Sequence, residues 1–346
     1  MTTCRPTCIQ GTPLPYLGQS EVVRPRRSTL AVPASQSRFY GKADQSMADE
    51  VLLDLEDSVT PATKIQARVQ VLEALQTYRF ARKVTAVRIN ACDTEWCYED
   101  IISIVQGAGN RIDCLVIPKV DAAEHVQFVD HLLSQIERKL RMTRRIGLEL
   151  QIESARALEN ISAIAAASQR SETLIFGQGD LAASLRMPVL TIGGGRHEDA
   201  VDYWKYFLGR LVVAARANGL QAIDGPYAQL HDIDGLRTAS ERAAMLGFDG
   251  KWAVHPTQVQ VINESFTPRR EDFDRASAIL DAYRRATEEN QIGAVMLGEE
   301  MIDEASRKMA ATIVERGAAF GMSAKAESDP QTTMGTVEDS TSSDSW

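Results

Sequence analysis

Ile146-Gly147-Leu148-Glu149-Leu150-Gln151-Ile152-Glu153-Ser154 alternates apolar and polar side chains and delivers a carboxylate at its end. Successive side chains of a strand point to opposite faces, so Leu148, Leu150 and Ile152 share one face and Glu149, Gln151 and Glu153 the other. The next stretch, Ala155–Ala167, has helical patterning. The whole therefore reads as a buried parallel strand that turns into a helix with a charge at the turn. A second copy of the arrangement runs through Thr173–Gly177, where Gly177-Gln178-Gly179-Asp180 supplies the carboxylate.

Working outward, strand candidates recur at Thr29–Pro33, Glu50–Glu56, Val84–Asn90, Ile112–Lys119, Gln221–Asp224 and Gly250–Val254, which with the two above makes eight. Helical patterns separate them, at Lys64–Thr77, Ala122–Leu140, Tyr203–Ala217 and Gly235–Leu246. Alternation of this kind implies a parallel sheet. Eight units imply closure into a TIM (β/α)₈ barrel, with an open doubly wound sheet as the alternative. Residues Glu271–Phe320 read as wholly helical and form a C-terminal extension. The expected division is a flexible leader (1–27), the barrel (28–266), a helical lid or oligomerisation segment (267–322) and a disordered acidic, Ser-rich tail (323–346).

Composition narrows the partners. The net charge is −9, which argues against nucleic acid or an anionic membrane surface as the main partner. No apolar run approaches the roughly 18 residues of a membrane span. Five scattered cysteines without a Cys-x-x-Cys pair argue against zinc and point to a reduced, cytoplasmic location. Arg5, Arg24, Arg26 and Arg27 occur without an apolar core, so the leader is no secretory signal, an organelle-targeting peptide being the alternative.

The ionisable residues collect at strand ends: Glu56 and Asp57, Arg88, Lys119, Glu153, Asp180, Asp224 and His255. In a TIM barrel the C-terminal strand ends form the catalytic face, and burying so many charges without a ligand is costly. Two carboxylates, Glu153 and Asp180, leave most of an Mg²⁺ shell open for water and substrate. Arg88 supplies a bidentate partner for a substrate carboxylate. Asp54 and Glu149 read as structural ion pairs inside the barrel. His255, before Pro256, either caps the last helix or serves the site. Arg38 and Lys42 either bind a phosphorylated cofactor or solvate a helix face. Gly193-Gly194-Gly195 lacks the Lys-Ser/Thr of a P-loop and reads as a loop.

From Arg27 to about Ala310 the chain resembles the CoA-ester lyase family of the aldolase/citrate lyase superfamily, malyl-CoA lyases most closely. The landmarks are Leu53-Asp54-Leu55-Glu56-Asp57-Ser58-Val59, Val87-Arg88-Ile89-Asn90, Ile117-Pro118-Lys119, Gln151-Ile152-Glu153-Ser154, Gly177-Gln178-Gly179-Asp180, Asp224-Gly225-Pro226-Tyr227, Gly247–Pro256 and Met301-Ile302-Asp303. The resemblance implies a TIM barrel forming homotrimers or homohexamers. It also implies Mg²⁺, or Mn²⁺ in its place, on Glu153 and Asp180, with Glu56 and Asp57 orienting water beside the ion. Arg88 would contact a 2-oxo acid, Lys42 and Arg38 the phosphates of an acyl-CoA, and Asp303 would be the acid/base carboxylate, contributed by a neighbouring subunit. The chain departs from the family pattern at Ala31, Ala34, Ala157 and Glu304.

The expected activity is reversible cleavage of a 3-hydroxyacyl-CoA, such as malyl-CoA or citramalyl-CoA, into acetyl-CoA and a 2-oxo acid. Three alternatives remain at this point: a malyl-CoA thioesterase, a CoA-independent class II oxo-acid aldolase, and a non-catalytic oxo-acid-binding subunit.

Overall fold

The computed structural model describes residues 24–193, 203–290 and 293–323. The first 23 residues, Gly194, Gly195, His197 and the acidic, Ser-rich end from residue 324 lie outside the described residues. Two compact units divide at Thr267/Pro268.

In the first unit eight parallel strands close into a barrel in sequence order. They are β1 (Ser28–Pro33), β2 (Glu50–Asp54), β3 (Val84–Arg88), β4 (Cys114–Ile117), β5 (Gly147–Ile152), β6 (Ser171–Phe176), β7 (Gln221–Asp224) and β8 (Gly250–Ala253). β1 pairs with both β2 and β8, which completes the circle and excludes the open sheet. Around it run α1 (Tyr40–Gln45), α2 (Lys64–Thr77), α3 (Cys97–Ala108), α4 (Ala123–Leu140), α5 (Ala155–Glu159), α6 (Ile161–Ala165), α7 (Gln178–Ser184), α8 (Lys205–Ala217), α9 (Ile233–Leu246) and α10 (Pro256–Phe266).

Several strands are shorter than the alternation suggests. Glu56, Asn90, Lys119 and Glu153 continue the pattern beyond the last ladder residue and form the rim instead. The helix expected at Ala155–Ala167 is two short helices that part at Asn160, whose φ of −93° and ψ of 4° break the ladder.

Alternation sorts the side chains as expected. Leu53, Leu55, Val87, Ile89, Leu148, Leu150 and Ile152 meet the helices in the main core. Leu52, Val84, Ala86, Cys114, Val116, Ile175, Ile223 and Trp252 fill the barrel interior.

The barrel floor is ionic. Arg26, sealed at 2% exposure, pairs with Glu50 at 2.9 Å, Glu149 at 3.0 Å and Glu172 at 2.6 Å. Glu149 is thus a structural ion-pair partner, as its strand position suggests. Arg24, Arg26 and Arg27, expected within the leader, belong to the barrel instead, because the carboxylates gathered on its floor require cations there. Arg26→Met leaves those carboxylates without their central charge. It is expected to cost about 3–5 kcal/mol, read as a lower denaturant midpoint at unchanged slope.

The second unit is not wholly helical. α11 (Arg270–Asn290) and α12 (Glu304–Ala319) flank an antiparallel ribbon of β9 (Val295–Leu297) and β10 (Glu300–Ile302). Gly298, at φ +64°, makes the turn between them, a left-handed conformation that glycine adopts at little cost. Ile302 is fully buried. Among the described residues no helix is long and apolar enough to cross a membrane.

Candidate active site

Arg88 ends β3 opposite its register partner Asp54 at the end of β2. Inward-facing register partners meet directly, and the pair is a fork: Nε to Oδ1 at 2.6 Å and Nη2 to Oδ2 at 2.7 Å. Two parallel bonds fix the guanidinium plane. The Trp252 ring lies 5.4 Å from the guanidinium carbon, a cation–π distance. Burial opposes the charge, but Asp54, Glu56 and Glu153 raise the pKa of Arg88 further, so it is a permanent cation. Its remaining nitrogen, Nη1, reaches Glu56 Oε2 at 3.2 Å and Gln151 Oε1 at 3.5 Å. The ion pair expected at Asp54 is therefore part of the site, and a ligand that binds Nη1 would take the place of Glu56 or Gln151.

Glu153 sits at the end of β5, 1% exposed. Its Oε1 accepts the Lys119 backbone N–H at 2.6 Å and its Oε2 the Gln151 amide at 2.7 Å. Gly177, between β6 and α7, makes room for it. A Cβ there would lie 2.3 Å from Glu153 Cβ and 2.6 Å from Oε2, closer than atoms can approach. Asp180 follows on the first turn of α7 and is exposed. Burial, and then the charge of Asp180, push Glu153 up to about 8. A buried carboxylate facing a second carboxylate is a pair short of positive charge, and two hard oxygen donors suit Mg²⁺. Among the described residues no group of three or more His, Cys, Asp or Glu side chains converges to hold a metal. An ion on Glu153 and Asp180 would therefore draw the rest of its shell from water or substrate.

Lys119, one of the ionisable residues expected at a strand end, links these groups. Its φ of +50° is left-handed, an uncommon conformation for a side chain of this size. That turn aims its N–H at Glu153 while its ammonium reaches back to Glu56 and, at 2.9 Å, to Asp57. Burial raises the pKa of Glu56 against the pull of Arg88. For Asp57 burial is outweighed by bonds with Glu56 and Lys119, which hold it below the usual carboxylate range. Lys64, at the start of α2, donates to the carbonyls of Leu55 and Glu56, both at 2.8 Å, and so fixes the backbone that carries Glu56.

The remaining candidates make other contacts. Asp224 is bound to Lys251 at 2.6 Å and to the Gly225 N–H at 2.8 Å. Both residues alternate with interior-facing Ile223 and Trp252, so this ion pair belongs to the wall between sheet and helices. His255 caps α10, accepting the Thr257 N–H at 3.3 Å. Arg38 and Lys42 are exposed on the segment after β1, Arg38 lying 4.8 Å over the Phe39 ring. Gly193, at φ +80°, packs against Pro226 and Tyr227.

Asp303 belongs to the second unit, where it caps α12 by accepting the Ser306 N–H at 3.0 Å. That bond holds its carboxyl below the usual range. Glu304 takes the first helical position and binds Arg307 at 2.7 Å, a placement the helix dipole favours for an acid.

Residues 27–256 match the HpcH/HpaI aldolase/citrate lyase family. The chain belongs to that family. It is 39% identical over 302 residues to the L-malyl-CoA/beta-methylmalyl-CoA lyase of Cereibacter sphaeroides, covering 85% of this chain and 95% of the relative. A (3S)-malyl-CoA thioesterase from the same species is 33% identical over 305 residues, 86% of this chain and 98% of the relative. Among solved structures, Mycobacterium tuberculosis CitE in complex with magnesium, acetoacetate and coenzyme A superposes with a TM-score of 0.66 at 26% identity. That likeness covers 84% of this chain and 97% of CitE. Family and relatives together make the protein a carbon–carbon lyase.

Proposed function

We propose that the protein is an Mg²⁺-dependent lyase that reversibly cleaves a 3-hydroxyacyl-CoA, such as malyl-CoA or citramalyl-CoA, to acetyl-CoA and a 2-oxo acid. The observation that carries this reading is the buried Glu153 carboxylate, uncompensated beside Asp180 and within the field of the clamped Arg88 cation.

Glu153 and Asp180 would hold the ion. When bound, Mg²⁺ supplies Lewis-acid polarisation and a template for the oxo-acid oxygens. Arg88, immobilised by Asp54, presents its fixed positive charge to the oxygen on which charge develops, and a fixed dipole or charge there needs no reorganisation during reaction. Glu56, with its raised pKa and its contacts to Lys119 and Arg88, accepts the proton lost from the β-hydroxyl. The bond between the two carbons then breaks, leaving the acetyl thioester as an enolate and the other carbon as the oxo-acid carbonyl. Asp303 gives the enolate carbon its proton, and in the condensation direction removes it. Lys42 and Arg38 meet the CoA phosphates, and the assembly is a homotrimer or homohexamer in which Asp303 serves a neighbouring subunit's site.

Protonation of Glu153 competes with the ion. Apparent Mg²⁺ affinity is expected to rise by about tenfold per pH unit toward pH 8 and to level off above it. Titration calorimetry across that range checks this, and a flat profile would mean that no proton on Glu153 competes with the ion.

The thioesterase relative makes hydrolysis the competing reading. Product analysis over malyl-CoA, citramalyl-CoA and longer 3-hydroxyacyl-CoAs separates the two. Acetyl-CoA, or a longer acyl-CoA, with glyoxylate or pyruvate is the expected result. Free CoA with intact malate would replace the lyase with a thioesterase.

A further inference from the structure

The loop after Arg88 carries two thiols that this chemistry does not use. Cys92 and Cys97 are free, and their sulfurs lie 3.9 Å apart. Cys97 is sealed at the start of α3, whereas Cys92 is half-buried in the preceding turn. The Cys97 S–H donates to the Cys92 sulfur, and the Cys92 S–H to the His125 carbonyl at 3.8 Å. Exposure and sequence order assign the parts: Cys92 is the sulfur a solvent-borne oxidant meets, and Cys97 is already aligned on it.

We propose that Cys92 and Cys97 are an oxidisable pair that closes to a reversible disulfide when the protein meets a hydroperoxide. The Cys92 sulfur attacks the peroxide O–O bond. Cys92 is oxidised to a sulfenic acid, and the peroxide is reduced to an alcohol, or to water from hydrogen peroxide. The Cys97 sulfur then attacks the sulfenic sulfur, its S–O bond breaks, and the leaving hydroxide takes the Cys97 proton and departs as water. A small dithiol reverses the oxidation by exchange. Closure to the roughly 2.0 Å of an S–S bond asks about 2 Å of approach, in a segment that carries neither helix nor strand between Ala91 and Trp96.

That approach reaches the catalytic rim from two sides. Trp96, between the cysteines, packs on the Lys64 ammonium at 5.4 Å, and Lys64 holds the Glu56 backbone. Asp100, one turn beyond Cys97, accepts the Asn90 N–H at 3.0 Å and its amide at 2.7 Å, fixing the chain two residues after Arg88. The disulfide form therefore turns over more slowly, a consequence that rests on the proposed lyase reading.

The test treats the full-length protein with hydrogen peroxide, alkylates remaining thiols and maps the tryptic peptide Ile89–Arg111, which contains both cysteines. The expected peptide has lost two hydrogens, resists alkylation and recovers both thiols with dithiothreitol. In Cys97→Ala the same treatment leaves a sulfenic acid on Cys92 that dimedone captures. Both thiols alkylated after peroxide, or Cys92 driven to the sulfinic acid while Cys97 stays alkylatable, would overturn the pair. Turnover of wild type should fall in proportion to disulfide and return on reduction, while Cys92→Ser is insensitive. Disulfide with unchanged turnover would overturn the coupling to the rim. Absence of turnover before oxidation would count against the lyase reading, with the peptide result standing by itself.

Discussion

Glu153→Gln is expected to abolish Mg²⁺ binding at the barrel mouth and to reduce lyase turnover by more than about 100-fold. Loss of a residue that merely supports a ligand costs about 10–100-fold, and Glu153 is read as a ligand itself. The amide keeps the shape and its oxygen still accepts the Lys119 N–H, at the loss of the bond from the Gln151 amide, whose donor would then meet a second NH2. Stability moves the other way. The Glu153 carboxyl, held at about 8 against an ordinary value near 4.3, binds more protons folded than unfolded between those limits. The metal-free fold therefore loses stability as pH rises through that window. The neutral amide removes this penalty, so at pH 8 and above the metal-free variant should melt no lower than the wild type while being inactive. Gly177→Ala is a companion from the end of the neighbouring strand, because its Cβ occupies the place of the Glu153 side chain. It should weaken Mg²⁺ binding by displacing Glu153, with no ligand replaced. Wild-type metal affinity in both variants would place the ion elsewhere.

Asp303→Asn is expected to lower turnover by about 10²–10⁴-fold, the usual contribution of a positioned acid or base. Asn is as good a helix cap as Asp, so the bond to the Ser306 N–H and α12 should survive. Mg²⁺ and oxo-acid binding, which rest on the barrel, should stay at wild-type levels. Exchange of the acetyl-CoA methyl protons with solvent deuterium should be lost with turnover. Unchanged turnover would remove Asp303 from the chemistry.

Much of this was legible in one dimension. The period-two alternation through Leu148–Glu153 gives the inward face of β5, and the same reading of Leu53–Glu56 and Val87–Asn90 places Arg88 and Glu56 on the rim. What escaped depends on register or close approach. The fork between Asp54 and Arg88 requires their strands to be neighbours in matching register. Lys119 acts through a left-handed backbone that no propensity assigns to lysine. Gly177 serves by the absence of a Cβ against Glu153, a residue on the preceding strand's end. Gln151 was visible on the inward face, but its bridge between Arg88 and Glu153 was not. The ribbon of β9 and β10 offers only three residues per strand, too few for a periodic signal to compete with the helical patterns around it. Arg26 was hidden by its place among leader-like residues, although the charges on Glu50 and Glu149 required a partner.

The most direct test of metal-assisted carbon–carbon cleavage is a titration of Mg²⁺ into chelator-stripped protein with malyl-CoA, following acetyl-CoA and glyoxylate together. The account predicts no product without the ion and equal amounts of both products rising to saturation as it is added. Equal rates in chelator and in Mg²⁺, or release of CoA with malate intact, would contradict it.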